Sequence, residues 1–118
     1  MNNVLLVGLG GALGSIIRYT LQRFNTGSVF PYGTLLVNLS GCLLIGILWG
    51  FWNRNNLNDE SRTLLMTGFC GGFTTFSAFT LEAVQLIHQN KWLLLVGYIS
   101  LSVIGGILMT FAGYKLTS

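Results

Sequence analysis

Uncharged, mostly apolar residues come in four runs: Asn2 to Ile17, Thr34 to Trp52, Thr63 to Leu81 and Trp92 to Tyr114, with Arg18 and Tyr19 extending the first. Each is close to the ~20 residues that carry a helix across the hydrocarbon core of a bilayer. None alternates apolar and polar residues strictly, as the strands of a membrane barrel do. The pattern predicts an all-α membrane protein with four transmembrane helices, over about residues 3–22, 33–52, 62–87 and 92–115, in a single domain covering 1–118. Polar stretches separate the runs. Residues 23–33 hold the only proline, Pro31; "NRNNLNDESR" covers 53–62 and "HQNK" makes a tight turn at 88–91. Asn58, Asp59 and Glu60 stand where capping and acidic residues favour a helix start. The first run has no basic residue at its start and Arg18 comes late, so it is expected to remain as a span and not to be a cleaved signal.

Composition agrees with this reading. The chain is 52% apolar and 8% charged over 118 residues, with a mean hydropathy of +0.67, whereas soluble domains carry about a quarter charged residues. So short a chain cannot hide that much hydrocarbon in its own interior, and its surface must face lipid. Cys42 and Cys70 fall in mid-helix, where they read as small apolar fillers. His88 lies alone in a turn. The chain holds no Ser/His/Asp, Cys/His or paired-carboxylate arrangement, and it is not expected to be an enzyme.

The third run is irregular. "GFCGGFTTFSAFT", residues 68–80, puts two adjacent glycines and three threonines among four phenylalanines. A helix break is expected over residues 71–75, centred between Arg62 and Glu82. Unpaired backbone groups in hydrocarbon cost several kcal/mol each, so such a break persists only where protein or a cavity supplies partners. Its freed carbonyls are hard oxygen ligands for a hard cation, and the half-helix that follows begins with a partial positive charge. A plain kink, or close packing through glycine, is the competing reading.

Phe76 and Phe79 are three apart and share a helix face. Their ring edges carry positive potential that can meet a small anion, although ordinary packing also places phenylalanine in membranes. Phe69 and Phe73 are read as ordinary packing. Asn38 is the only amide in the second run, and an intramembrane amide needs a partner. Hydroxyls come from Ser40, Thr74, Thr75, Ser77, Thr80, Ser100 and Ser102. They suit an anion, and equally they join helices to one another. Arg18, near the end of the first helix, is expected to snorkel to the interface and concentrate anions at a pore mouth. Glu82 is the only acid within a predicted helix and lies near one end of it. Gly10 with Gly14, Gly46 with Gly50 and Gly68 with Gly72 have the spacing of close helix contacts.

The basic residues do not favour an orientation. With four spans, Arg54, Arg62 and Lys115 fall on one side and Arg18, Arg23 and Lys91 on the other. Lysine and arginine bias normally sets topology. Either a weak bias still inserts the chain one way, or both orientations are made and joined. In the second case a two-fold axis in the membrane plane would bring mid-depth residues such as Gly71 and Gly72 against their own copies.

"GGFTTFSAFTLE" (71–82), "YGTLLVNLSG" (32–41) and "GLGGALGSIIRY" (8–19) together resemble the Fluc/CrcB family of microbial fluoride channels, over essentially the whole chain. The resemblance implies an antiparallel, dual-topology homodimer with a break in the third helix, sited in the bacterial inner membrane. It would conduct fluoride passively and lower its level in the cytoplasm. It further implies two pores per dimer and a central structural sodium ion held by the backbone carbonyls of Gly71 and Thr74. By the same resemblance Phe76 and Phe79 line the pores with Asn38, Thr75 and Arg18, and Tyr98 and Ser102 form a polar track on the fourth helix. Glu82 matches a family acid of unspecified role. Ala78 departs from the threonine common at its position. Two other readings stand beside this one. A small dual-topology exporter of the multidrug kind would need an acid deep in the membrane. A non-transporting membrane partner subunit would pack through its glycine faces.

Overall fold

Local signals start and stop the helices. Asn2 accepts from the Val4 amide at 2.8 Å and begins α1, Asn3–Gln22. Pro31 precedes α2, Tyr32–Asn53, and Asn55, in the left-handed region at φ 59°, turns the chain after it. Asn58 accepts from the Ser61 amide at 2.7 Å to start α3, Asp59–Arg62. Asp59 and Glu60 sit at the positive end of that turn, where carboxylates are favoured. The helix continues as a π-helical stretch over Thr63–Cys70, then α4, Gly71–Phe73. It is interrupted at Thr74 and Thr75 and resumes as α5, Phe76–His88. A turn with Asn90 at φ 57° leads to α6, Trp92–Thr117. The computed structural model describes residues 2–23 and 27–118. Among these residues four helical segments are long and apolar enough to cross a membrane: Asn3–Gln22, Tyr32–Asn53, Asp59–His88 and Trp92–Thr117. The third is bent.

The four spans pack as two pairs, each seamed by glycine. Gly10 and Gly14 of α1 face the third span so closely that a Cβ would collide with the Leu64 and Phe69 carbonyls. A Cβ at Gly72 would strike the Gly11 backbone in return. Between α2 and α6, Gly46 abuts the Thr110 carbonyl and Gly113 abuts the Leu43 carbonyl. All three small-residue pairs expected from spacing thus lie in tight helix contacts. Where no water drives helices together, such contact lets backbones approach and gain dispersion energy. The pairs join through a small cluster of Leu35, Leu86, Leu95 and Tyr98. Elsewhere the spans present large apolar side chains outward, as at Leu93, which is 86% exposed.

The break falls within the expected 71–75 stretch, at its far end and not at the glycines. Gly71 is helical, with φ −62° and ψ −38°. Gly72 is helical too and packs on α1. The interruption comes two residues later, where Thr74 (φ −85°, ψ 153°) and Thr75 (φ −147°, ψ 121°) are both extended.

Candidate functional site

Asn38 of α2 reaches across to Thr75 in the break. Its Nδ2 donates to the Thr75 carbonyl at 3.0 Å, and its Oδ1 accepts from the Thr75 amide at 2.8 Å. In an unbroken helix that amide would donate to the carbonyl of Gly71. The side chain therefore takes the place of a helical bond. Thr75 then starts α5 as its N-cap, its Oγ1 accepting from the Ala78 amide at 3.2 Å and lying 3.3 Å from Ser77 Oγ. One step earlier the Gly72 carbonyl accepts from Arg18 Nε at 3.1 Å and Ser15 Oγ at 3.3 Å. The Thr74 hydroxyl donates to the Cys70 carbonyl at 2.8 Å.

Arg18 corrects an expectation. Its guanidinium does not snorkel to the interface but turns inward onto the Gly72 carbonyl, because that acceptor has lost its helical donor and guanidinium is a ready replacement. Arg18 is not among the residues lining the cavity described next.

A mostly apolar cavity of about 550 Å³ opens at the break, lined among others by Asn38, Gly71, Thr74, Thr75, Phe76, Phe79 and Ser102. Two-residue separation and a half-helix thus bring seven of the sequence-selected residues to one place. The rings of Phe76 and Phe79 have centroids 5.6 Å apart. Phe76 is 76% exposed, while Phe79 leans on Tyr98 with centroids 5.1 Å apart. Tyr98 stands behind the cavity wall, fully buried. Ser102 Oγ is buried and has no hydrogen-bond partner among the described residues. Cys42 and Cys70 also line this cavity and are free thiols. Phe69 and Phe73 stack at 5.6 Å, in keeping with ordinary packing.

The donor set bears on a cation. Among the described residues no group of three His, Cys, Asp or Glu side chains comes together, and the oxygens beside the cavity are neutral, backbone carbonyls among them. Gly71 is exposed on the cavity, and nothing lies within 4 Å of the place a Cβ would take. Its carbonyl has lost the Thr75 amide to Asn38. The residues fit a hard cation held by backbone carbonyls.

Glu82 has partners that sequence reasoning missed. Thr34 Oγ1 donates to its Oε1 at 2.6 Å and Tyr98 OH donates to its Oε2 at 3.0 Å. Thr34 is itself 2% exposed. The signal that could have found this cluster is the acid alone, since an intramembrane carboxylate requires donors.

Comparison with known proteins gives a consistent picture. The family model described as CrcB-like protein, Camphor Resistance (CrcB), matches residues 5–114. A protein of Leptospira interrogans (serovar copenhageni) named fluoride-specific ion channel FluC is 47% identical over 115 residues, covering 94% of this chain and 91% of the relative. One of Rhizobium meliloti with the same name is 46% identical over 122 residues, covering 98% and 96%. A third, from Chloroflexus aurantiacus, is 43% identical over 122 residues, covering 98% and 95%.

Proposed function

This chain belongs to the CrcB family, a family of ion channels and not of enzymes, and we propose that it is a passive fluoride channel that lets the ion leave the cytoplasm down its gradient. Its four spans and its bacterial relatives make it a multi-pass bacterial membrane protein. The observation that carries the proposal is the meeting of the phenylalanine pair, the buried unpartnered Ser102 hydroxyl and the broken backbone on one cavity. Fluoride is small and strongly hydrated, so a pore must replace its water with donors before it enters. Ser102 Oγ, the second Asn38 N–H and the positive rims of Phe76 and Phe79 are what the cavity wall offers. None of these is a fixed positive charge that would trap the ion.

The unit we propose is an antiparallel, dual-topology homodimer with two pores. Three observations support it. The basic residues are evenly divided between the sides, Phe76 stands largely exposed beside Phe79, and the cavity is open beside Gly71. A second copy related by an in-plane axis would cover these surfaces. Gly71 and Thr74 carbonyls of both copies would then hold a structural sodium ion. Bound there, it would supply positive charge that offsets part of the cost of dehydrating an anion in a medium of low dielectric. Arg18 and Ser15 orient the adjoining Gly72 carbonyl, and Asn38 keeps the Thr75 amide from closing the helix. Tyr98 backs the Phe79 ring from behind. Thr75 shapes the wall as the cap of α5. The exporter reading would use Glu82 as a deep proton carrier, yet that carboxylate is engaged by Thr34 and Tyr98 and lies outside the cavity lining.

Fluoride efflux from proteoliposomes, read with a fluoride electrode, tests the assignment. Phe76→Ile removes a ring edge, and Asn38→Asp replaces the amide donors with a charge. Each is expected to cut efflux at least about tenfold, the effect of raising the barrier by roughly 1.4 kcal/mol. Undiminished efflux in both variants would remove these residues from the pore.

A further inference from the structure

Gln22 and Thr34 have no part in the pore as described, yet they join Arg18 at the helix break to Glu82. Arg18 holds the Gly72 carbonyl through Nε at 3.1 Å, and its Nη1 donates to Gln22 Oε1 at 3.4 Å. Gln22 Nε2 donates to Thr34 Oγ1 at 2.9 Å, and the Thr34 hydroxyl donates to Glu82 Oε1 at 2.6 Å. Tyr98 OH closes on the other carboxylate oxygen at 3.0 Å. The series starts at the break in the third span and passes through α1 and α2 to α5 and α6.

With Glu82 as an acceptor, the direction of each bond follows from the groups it joins. Guanidinium offers only donors and an ionised carboxylate only acceptors, while an amide has one end of each kind and a hydroxyl a single proton. Anything between them must accept from the Arg18 side and donate toward Glu82. Gln22 meets that rule only with its oxygen toward Arg18, since the flipped amide would set NH2 against guanidinium. Thr34, with its proton on Glu82, can only accept from Gln22. No member can turn alone without taking a partner from its neighbour in a partly buried chain. The 3.4 Å contact between Arg18 and Gln22 is the longest link, so it is the one most easily lost.

We propose that Arg18, Gln22 and Thr34 form a one-way hydrogen-bond relay that holds the Gly72 carbonyl at the helix break and the Glu82 carboxylate in a single arrangement, with Gln22 and Thr34 as its positioning residues. Arg18 and Glu82 are then coupled through two neutral side chains. A direct salt bridge would draw Arg18 off the Gly72 carbonyl; the relay lets it serve both ends. The consequence for ion flow rests on the channel reading, but the relay itself does not.

Side-chain NMR of the full-length protein in lipid nanodiscs, with 15N-labelled arginine, tests it. The chain has four arginines, Arg18, Arg23, Arg54 and Arg62, and the Arg18 Nε–H signal is assigned by its loss in Arg18→Lys. A slowly exchanging Arg18 signal is expected in the unaltered protein. Thr34→Val, which keeps the side-chain shape but acts two links away, should shift that signal or speed its exchange, while Thr34→Ser should leave it in place. Should Thr34→Val fail to elute as folded protein, Glu82→Gln gives the same reading from three links away. An Arg18 signal indifferent to both variants overturns the relay, as does a signal that exchanges freely from the start. In liposomes Gln22→Met and Thr34→Val should each lower fluoride efflux about tenfold, and the double variant no further, because both cut the same chain. Losses that multiply to about a hundredfold overturn the coupling. If the unaltered protein passes no fluoride, the channel reading fails and the Arg18 resonance still decides the relay.

Discussion

Asn38 grips Thr75 by both of its backbone polar groups, donating to the carbonyl at 3.0 Å and accepting from the amide at 2.8 Å. One side chain thereby does for an interrupted helix what two turns of backbone would otherwise do. Asn38→Leu, close in volume but without polar atoms, leaves both Thr75 groups without their partner. Each such group costs about 1–3 kcal/mol. The variant is expected to lower the unfolding midpoint in detergent and to abolish fluoride efflux. A melting curve unchanged from the unaltered protein would show that the break needs no clamp.

The glycines of the third span are expected to divide sharply. A Cβ at Gly72 would meet the Gly11 backbone, while a Cβ at Gly71 meets nothing within 4 Å of its own subunit. Gly72→Ala should destabilise the fold of the chain by about 1–3 kcal/mol through overpacking. Gly71→Ala should leave that fold intact and instead weaken association of two copies. Chemical unfolding and size-exclusion profiles in mild detergent separate the two outcomes.

Ser102 should show function and stability parting company. Its Oγ is buried and unpartnered among the described residues, so a hydroxyl is being kept where folding gains nothing from it. Ser102→Ala is expected to match or exceed the unaltered protein in thermal stability, because it removes an unpaired polar atom. Fluoride efflux should fall about tenfold if that hydroxyl donates to the passing ion. A loss of stability without loss of flux would reverse this assignment.

The even division of basic residues predicts a topology that small changes can force. Asn55→Lys with Asn56→Lys adds charge to one side, and Gln89→Lys with Asn90→Lys adds it to the other. Each pair should push insertion one way and leave cells sensitive to fluoride when expressed alone. Expressed together, the two should restore resistance. Full resistance from either pair alone would exclude an antiparallel unit.

Much of the fold was legible because bilayer thickness sets helix length, and uncharged runs of that length stand out. Glycine spacing likewise marked the seams at Gly10, Gly46 and Gly72, since close approach in lipid needs small residues whatever the partner. The Asn58 cap was legible from a local rule. The exact break was not. Within the expected 71–75 stretch the glycines looked like the weak point, but the helix opens at Thr74 and Thr75, where Asn38, 37 residues away in sequence, meets the Thr75 backbone. The π-helical stretch over Thr63–Cys70 carried no periodic signature that set it apart from an α-helix. Arg18 read as a residue reaching for water, because only the folded chain reveals an orphaned carbonyl beside it. Family resemblance selected Asn38, Phe76, Phe79 and Ser102, and the structure gathers them on one cavity. It selected neither Gln22 nor Thr34, whose importance lies in what they connect.

The most direct test of the account is efflux from liposomes so dilute in protein that few hold more than one dimer, loaded with equal fluoride and chloride. The account predicts that every liposome holding a dimer empties of fluoride while its chloride stays inside. Retained fluoride, or chloride leaving at a similar rate, would contradict it.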